Sequence, residues 1–370
     1  MIPSSWRNQA KQALIAGEVQ VLLVLAGTAT AEVPGISAAG ATPFSRKFTA
    51  AADAELLLLG PEALCAHALP PLPAGVSPAL ISWCVLKELN LSCLVVDAGC
   101  PVAPAIPHIR LGVAPARCLS SGEAMEHAQV QRNHRQGFRL GCNLAQCLQN
   151  GLLVLAECVP GGTSTAEAVL TGLGLRVEGL VSGSMRQPPH GLRAMLVQQG
   201  VAAVRARSGD LSDPLVVLAA LGDPFQAFSL GLLEGIANGP CSDAQVLLAG
   251  GSQMAALLGL ALARATGLQR QVLAQRLAVI TTAWVIQESC SELEVLLTMV
   301  GAAYGVQPLL CHGNLNFANC QQQALRDYEE GFVKEGVGAG GLSWLWELSG
   351  REPNELAQAC DRACAALLSR

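Results

Sequence analysis

Residues 151–174, GLLVLAECVPGGTSTAEAVLTGLG, change from one kind of structure to another within a few positions. The first six residues are apolar, which predicts a short strand that is buried on both faces. Pro160, Gly161 and Gly162 interrupt regular structure, and the hydroxyl residues that follow favour the start of a helix. A strand, a glycine turn and a helix start in this order predict an α/β unit.

The turn of this unit has the geometry of an anion site. The free N–H groups of a helix N-terminus and the positive end of its dipole suit a phosphate. The predicted phosphate ligands are Gly161, Gly162, Thr163, Ser164 and Thr165, and Glu157 lies beside them at the strand end. The turn is not a P-loop, because the Gly-Lys-Ser/Thr ending is missing. An ordinary strand–helix connection with a surface glutamate has the same pattern, so both interpretations stay open.

The alternation of strand and helix recurs along the chain. Further strands are predicted at 19–26, 91–96, 175–184, 245–248, 277–283 and 306–310, with helices between most of them. Such alternation predicts an α/β fold with a mainly parallel, Rossmann-like sheet and helices on both faces. We expect residues 19–333 to form this nucleotide-binding domain, and residues 1–18 with 334–370 to form a small helical subdomain.

Composition excludes several function classes. Of the 370 residues, 51% are apolar and 14% are charged, and the net charge is −5. The few charged residues predict a small surface relative to the core, or a surface partly covered by another subunit. With a negative net charge, the chain has no excess of basic residues that would attract nucleic acid or anionic lipid. We therefore expect neither nucleic acid nor a membrane as a partner.

The cysteines and histidines indicate a reducing compartment and no metal. Fourteen cysteines are scattered without a Cys-x-x-Cys pair, which is typical of small buried hydrophobic residues in a reducing cytosol. The chain starts with polar residues, and no apolar run approaches the ~20 residues that span a bilayer. The six histidines never occur at His-x-x-His or His-x-x-x-His spacing. We predict a cytoplasmic protein without a metal site.

Several other positions follow predicted strands or lie in turns. Gly250 and Gly251 join strand 245–248 to a helix in a second turn of the same design, and both are further candidates for phosphate or nucleotide binding. Asp97 ends strand 91–96, where an acidic side chain binds a ribose hydroxyl or caps a turn. Ser37 lies in a small-residue loop at 33–43, and Asp223 lies between two apolar helices. Ser37, Asp97 and Asp223 are candidates for a base or ribose pocket, although a surface loop and turn caps have the same patterns.

The segment 336–341, GVGAGG, satisfies the Gly-x-Gly-x-x-Gly pattern. It lies near the C-terminus, follows a predicted helix and has no strand after it, so we reject a dinucleotide site. The segment is instead interpreted as a ligand contact in which Glu335 lies beside glycines that allow the backbone to approach a ligand closely. Gly336 and Gly338 are the predicted nucleotide contacts. In a dry setting Glu335 would have a raised pKa and suit a general base. A helix cap with a solvated Lys334–Glu335 pair is the alternative.

Together these stretches resemble the nicotinate-nucleotide:dimethylbenzimidazole phosphoribosyltransferases of cobalamin lower-ligand synthesis, and more closely a divergent branch of that superfamily. The resemblance covers most of the chain. It rests on segments in a shared order, namely PGISAAG at 34–40, Glu157 with PGGTSTA at 160–166, DPL at 213–215 with LGD at 221–223, and KEGVGAGG at 334–341.

The resemblance implies an enzyme that moves the ribose phosphate of nicotinate mononucleotide onto a benzimidazole or purine nitrogen, giving an α-ribotide. It also implies a homodimer and no cofactor. Glu335 matches the family's proposed catalytic base, Glu157 matches a carboxylate that lines the active site, and the turn at 161–165 matches the 5′-phosphate site. A nucleotide hydrolase and a non-catalytic nucleotide-binding protein are the alternatives on the same fold.

The chain departs from the family's pattern at three places. An early Pro-Pro-Gly-Ser-Leu-Gly-like motif is missing, Ala249-Gly250 stands where the family has Asp-Gly, and Gly162 stands where its phosphate turn has Asn. The phosphate and carboxylate positions are thus better retained than the pocket for the aromatic base. The sequence therefore leaves the accepted base open.

Overall fold

A computed structural model describes residues 2–207, 209–239 and 243–369. In these residues one sheet contains seven strands, β1 (Val19–Leu25), β2 (Cys93–Asp97), β3 (Ile109–Arg110), β4 (Leu152–Cys158), β5 (Gln245–Ala249), β6 (Leu277–Thr281) and β7 (Leu309–His312). Their order is β3-β2-β1-β4-β5-β6-β7, and every neighbouring pair is parallel. The direction of winding reverses between β1 and β4, and sheets of this type bind ligands at the strand carboxyl ends near that point.

The described residues also form fifteen α-helices, which are α1 (Ser4–Ala16), α2 (Thr49–Leu59), α3 (Ala79–Glu88), α4 (His127–Leu148), α5 (Gly162–Gly172), α6 (His190–Ala206), α7 (Pro214–Leu221), α8 (Pro224–Asn238), α9 (Ser252–Arg264), α10 (Gly267–Arg276), α11 (Ala283–Gln287), α12 (Leu293–Tyr304), α13 (Gln323–Arg326), α14 (Ala339–Leu348) and α15 (Pro353–Leu368). Strands and helices together confirm the predicted α/β class.

Helices cover both faces of the sheet, as successive residues of β1 show. Val21, Leu23 and Leu25 enter a core that contains residues of α1, α2, α3, α14 and α15. Leu22 and Val24 enter the opposite core, with residues of α4, α5, α7, α8, α9 and α12. Because both faces are buried, the strands are apolar throughout instead of alternating with polar residues.

The helices before residue 18 and after residue 338 lie on one face of the sheet. α14 packs against β5 and β6, and α15 packs against α3. The division into a domain at 19–333 and a subdomain of 1–18 with 334–370 remains a prediction. Its end residues 1 and 370 lie outside the described residues.

The predicted strand at 175–184 is wrong. These residues form an irregular connection between α5 and α6. Val177 and Val181 are buried in the core that contains α5 and α9, so the apolar spacing reflects loop residues that insert into that core. The segment does not pair with any described strand, and its carbonyl oxygens at Val181 and Ser182 accept hydrogen bonds from Arg193 at 2.8 and 3.3 Å. Sequence analysis also missed β3, which is only two residues long.

α4 and α8 cross with their backbones in contact. A Cβ atom placed on Gly137 of α4 would lie 2.0 Å from the carbonyl oxygen of Phe228, and one on Gly231 of α8 would lie 2.0 Å from that of His134. Gly141 and Gly235 make similar approaches. The glycines fix α8, whose first turn follows Asp223 next to the phosphate turn.

Candidate functional site

A cavity of about 900 Å³ opens at the carboxyl ends of the central strands. Its volume falls in the range of small-molecule sites. The end of β4, the turn before α5, the start of α9 and the segments 69–78, 182–187 and 332–337 line it. The cavity therefore lies beside the point at which the strand order reverses, where this class of sheet binds ligands.

Two helix N-termini face this edge of the sheet. α5 begins directly after Gly161 and follows β4, and α9 begins directly after Gly251 and follows β5. Gly161 has φ +83°, and a Cβ atom there would lie 3.0 Å from the backbone nitrogen of Ala31. Only glycine fits such a position without strain. The positive ends of two helix dipoles at one cavity suit a phosphate.

The cavity contains several of the predicted ligands and not others. Of the phosphate and nucleotide candidates, its lining includes Gly161, Thr163, Gly251 and Gly336. In the part of the chain that the structure describes, the lining does not include Gly162, Ser164, Thr165, Gly250 or Gly338. Of the base and ribose candidates, Ser37 lines the cavity, and Asp97 and Asp223 do not.

Asp223 lies behind the phosphate turn and connects it to α9. Its Oδ2 accepts hydrogen bonds from Thr165 Oγ1 at 2.5 Å and from Gln253 Nε2 at 2.8 Å. Its Oδ1 accepts from the N–H of Gln226, which caps α8. Burial raises the pKa of Asp223, and these hydrogen bonds oppose that shift. Because Gln253 itself lines the cavity, Asp223 orients a lining residue without touching the cavity.

Asp97 caps a turn at the end of β2. Its Oδ1 accepts hydrogen bonds from the N–H groups of Gly99 at 3.0 Å and Cys100 at 2.8 Å. This is the turn-capping alternative that the sequence left open.

Glu335 lines the cavity and both of its carboxylate oxygens are engaged. Oε2 accepts from Thr281 Oγ1 at 2.9 Å and from the Thr282 N–H at 3.0 Å. Oε1 accepts from the N–H groups of Gly336 at 3.0 Å and Gly340 at 3.1 Å. Burial raises the pKa of Glu335, whereas these four donors favour its ionised form. The carboxylate thus has a fixed orientation at the N-terminus of α14.

Glu157 lines the same cavity in a different electrostatic environment. Burial raises its pKa to about 8, and the nearby carboxylates of Asp223, Glu335 and Asp53 contribute to the rise, while the Val159 N–H opposes it. Glu157 is therefore mostly protonated near neutral pH. Two carboxyl groups whose environments differ in this way are suited to different roles in one reaction.

A third carboxyl group, Asp53, lines the cavity and was missed as a site residue. Ser77 Oγ donates to its Oδ1 at 2.6 Å, and Cys158 Sγ donates to its Oδ2 at 3.3 Å. Burial raises its pKa to about 6, although both hydrogen bonds lower it. The sequence did contain a signal, because Asp53 lies among alanines and leucines in a helix that is buried along most of its length.

The segment 182–187 forms another wall of the cavity that sequence analysis did not identify. Its backbone is held by the Ser252 hydroxyl, which accepts from the Ser182 N–H at 3.0 Å. Arg186 in this segment is exposed and lines the cavity. Among the described residues, its guanidinium forms neither an ion pair nor a hydrogen bond. A cation of this kind is available to an anionic ligand.

The backbone before α14 is strained. Val333, Lys334 and Val337 have φ values of 61°, 67° and 52°. Residues other than glycine rarely adopt this left-handed region, and each instance costs about 1–3 kcal/mol. Lys334 is buried, so the alternative of a solvated Lys334–Glu335 pair does not describe this lysine.

Two further features concern metals and membranes. Within residues 2–207, 209–239 and 243–369, no three His, Cys, Asp or Glu side chains converge in a way that could hold a metal ion. None of the described helices combines the length and the apolar character that crossing a bilayer requires.

Solved structures share this fold. CobT from Thermus thermophilus superposes with a TM-score of 0.55 at 19% sequence identity, over 96% of this chain and 89% of that chain. A structure of nicotinate-nucleotide-dimethylbenzimidazole phosphoribosyltransferase from the same organism gives a TM-score of 0.54 at 19% identity, over 96% and 88% of the two chains. The fold is therefore that of this class of phosphoribosyltransferase, as the resemblance implied.

Sequence relatives define the family. The chain is 49% identical over 357 residues to a UPF0284 protein of Prochlorococcus marinus strain MIT 9313, covering 94% of this chain and 86% of the relative. It is 42% identical over 361 residues to the UPF0284 protein alr0297 of Nostoc sp. strain PCC 7120, covering 94% and 93%. No family model matches the chain. The chain belongs to the UPF0284 family, which agrees with the predicted divergent branch of the CobT-like fold.

Proposed function

We propose that this protein is a phosphoribosyltransferase that moves the ribose phosphate of nicotinate mononucleotide onto a nitrogen of a benzimidazole or purine base. One observation carries the proposal. Glu157 and Glu335, from distant parts of the chain, line a single cavity that two helix N-termini also face. Two solved structures share the fold, CobT and a nicotinate-nucleotide-dimethylbenzimidazole phosphoribosyltransferase. Their names support the same class of reaction. A cytoplasmic homodimer is part of this proposal.

The cavity offers a place for each part of the nucleotide. The 5′-phosphate would bind at the starts of α5 and α9, where backbone N–H groups and helix dipoles favour an anion. The sugar would then face Glu157 and Glu335. The apolar wall at 69–73, which contains three prolines and two leucines, would cover the rings of the leaving nicotinate and the incoming base.

The proposed reaction is a displacement at the anomeric carbon. A ring nitrogen of the base attacks C1′, and the bond from C1′ to the nicotinate nitrogen breaks, returning its electron pair to the pyridine ring. The N–H proton of the base passes to the carboxylate of Glu335, whose orientation is fixed by four hydrogen bonds. Glu157, protonated near neutral pH, limits the negative charge beside Glu335 and the phosphate.

A test of this function needs the protein, nicotinate mononucleotide and a panel of benzimidazole and purine bases. Free nicotinate and the ribotide product are measured by chromatography. Nicotinate release that requires a base and yields an α-ribotide is the expected result. Release without a base would replace the proposal with a nucleotide hydrolase. Tight binding of the nucleotide without release would replace it with a non-catalytic nucleotide-binding protein.

A further inference from the structure

The segment 333–338 has an unusual backbone next to the proposed catalytic carboxylate. Five of its six residues have φ in the positive range, namely Val333, Lys334, Gly336, Val337 and Gly338. The N–H of Lys334 donates to the carbonyl of Phe332 at 2.7 Å, and the N–H of Glu335 donates to that of Val333 at 2.9 Å. Such consecutive three-residue turns are rare and strained, so other contacts must hold them.

The side chain of Lys334 provides one of these contacts. Its ammonium group is almost fully buried and donates to Glu288 Oε2 at 2.5 Å and to the carbonyl oxygen of Met185 at 3.0 Å. Glu288, at the end of α11, is also buried and accepts a hydrogen bond from Ser291 Oγ. Lys334 therefore joins the strained segment to α11 and to the cavity wall at 182–187.

Thr282 connects this anchor to the carboxylate of Glu335. Its hydroxyl donates to the carbonyl oxygen of Lys334 at 2.6 Å, and its N–H donates to Glu335 Oε2 at 3.0 Å. The same short region thus fixes the backbone of Lys334 and one oxygen of Glu335. The ammonium charge is neutralised by Glu288, so Lys334 does not serve as a cation for an anionic substrate.

We infer that the buried Lys334–Glu288 ion pair is a positioning device that holds the strained backbone and thereby aims the Glu335 carboxylate into the cavity. Lys334 and Glu288 are positioning residues that act through Glu335. The inference rests on the proposed function for its effect on turnover. Its structural part, the geometry of Glu335, stands independently of which reaction the cavity performs.

The main test variant replaces both partners, Lys334→Met with Glu288→Met. Removing one partner alone would leave an uncompensated buried charge, whereas replacing both with apolar residues often preserves stability. Lys47→Met is the control, because Lys47 pairs with Glu32 at 3.2 Å on the surface and neither residue lines the cavity. Native-state hydrogen exchange, affinity for nicotinate mononucleotide and transferase kinetics are compared with wild type.

The double variant is expected to exchange the N–H groups of Gly336 and Gly340 at least tenfold faster, since both donate to Glu335 Oε1. It is expected to lower kcat by about 100-fold, because a shift of about 1 Å in a catalytic group has effects of this size. KM and nucleotide affinity should stay within about threefold of wild type. Lys47→Met should match wild type in every measurement.

A folded double variant with wild-type exchange at both glycines and wild-type kcat would overturn the inference, and so would a change in KM alone. If this double variant does not fold, Lys334→Met with Glu288→Gln provides the same comparison, because it also removes both charges and keeps an amide oxygen that can accept the hydrogen bond from Ser291 Oγ. If wild-type protein performs no transfer, the proposed function fails, while the hydrogen-exchange comparison still decides the positioning role.

Discussion

The backbone N–H of Val337 donates a hydrogen bond of 2.9 Å to the carbonyl oxygen of Glu157. This bond joins the end of β4 to the strained segment before α14, although the two residues lie far apart in the sequence. It places both glycine-rich turns at one cavity, with Glu157 and Glu335 facing the same space.

Glu335→Gln is expected to lower kcat by about 10²- to 10⁴-fold, because glutamine cannot accept the proton of the incoming base. Nucleotide affinity should change little, since the phosphate is expected at α5 and α9. Nicotinate release and nucleotide titration measure the two effects. Glu347→Gln on α14 is the control, because Glu347 accepts hydrogen bonds from Asn314 outside the cavity. Equal rates for Glu335→Gln and wild type would remove Glu335 from the mechanism.

Glu157 makes the free energy of unfolding depend on pH. Its pKa is raised from 4.5 to about 8 in the folded protein. Between these values the folded protein keeps a proton on Glu157 that the unfolded chain releases, so stability decreases as pH rises through this range. Glu157→Gln should reduce the decrease. Urea unfolding of both proteins from pH 5 to pH 9 measures the difference, and parallel curves would contradict the raised pKa.

Gly161→Ala is expected to weaken nucleotide binding about tenfold or more. The added methyl group would lie 3.0 Å from the Ala31 nitrogen and disturb the turn before α5. Gly174→Ala is the matched control, because Gly174 follows α5, has φ +89° and has open space around it. Both variants should lose about 1 kcal/mol of stability from the left-handed backbone. Only Gly161→Ala should lose affinity, and equal affinities would argue against a phosphate at this turn.

Arg186→Met is expected to raise the dissociation constant of nicotinate mononucleotide about tenfold, which corresponds to a single charge-assisted hydrogen bond. Arg186 is the arginine of the cavity lining among the described residues. Arg176→Met is the control, since Arg176 is exposed and lies outside that lining. Comparing nicotinate and nicotinamide mononucleotides distinguishes a contact to the ring carboxylate from one to the phosphate. Unchanged affinity for both would show that Arg186 does not bind the substrate.

At the crossing of α4 and α8, the glycine positions should not accommodate a side chain. Gly137→Ala or Gly231→Ala is expected to cost about 3 kcal/mol or more, because each added methyl group would overlap a backbone carbonyl. Gly191→Ala, near the start of α6 with open space around it, should be neutral or slightly stabilising. Urea unfolding of the three variants tests the contrast. Equal stability of all three would contradict the close backbone contact.

The strands that sequence analysis identified correctly are those whose signal is local. β1, β4 and β6 are apolar runs that end at a turn. The segment 175–184, LRVEGLVSGS, has valines and leucines at a strand-like spacing. In the structure Val177 and Val181 insert into a core as loop residues, and Arg193 of the following helix binds the carbonyl oxygens of Val181 and Ser182. The spacing of apolar residues does not show whether they belong to a strand or to a loop that enters the core. The strand prediction fails for this reason.

The sequence by itself determined the α/β fold and the two glycine turns beside Glu157 and Glu335, because strand runs, helix starts and left-handed glycines depend on neighbouring residues. Only the tertiary structure decided that Asp53 joins these carboxylates, that Asp223 lies behind the turn, and that Lys334 pairs with Glu288. These relationships depend on packing between residues distant in the chain. Burial, which comes from that packing, is also the largest cause of the raised pKa values of Asp53, Glu157, Asp223 and Glu335.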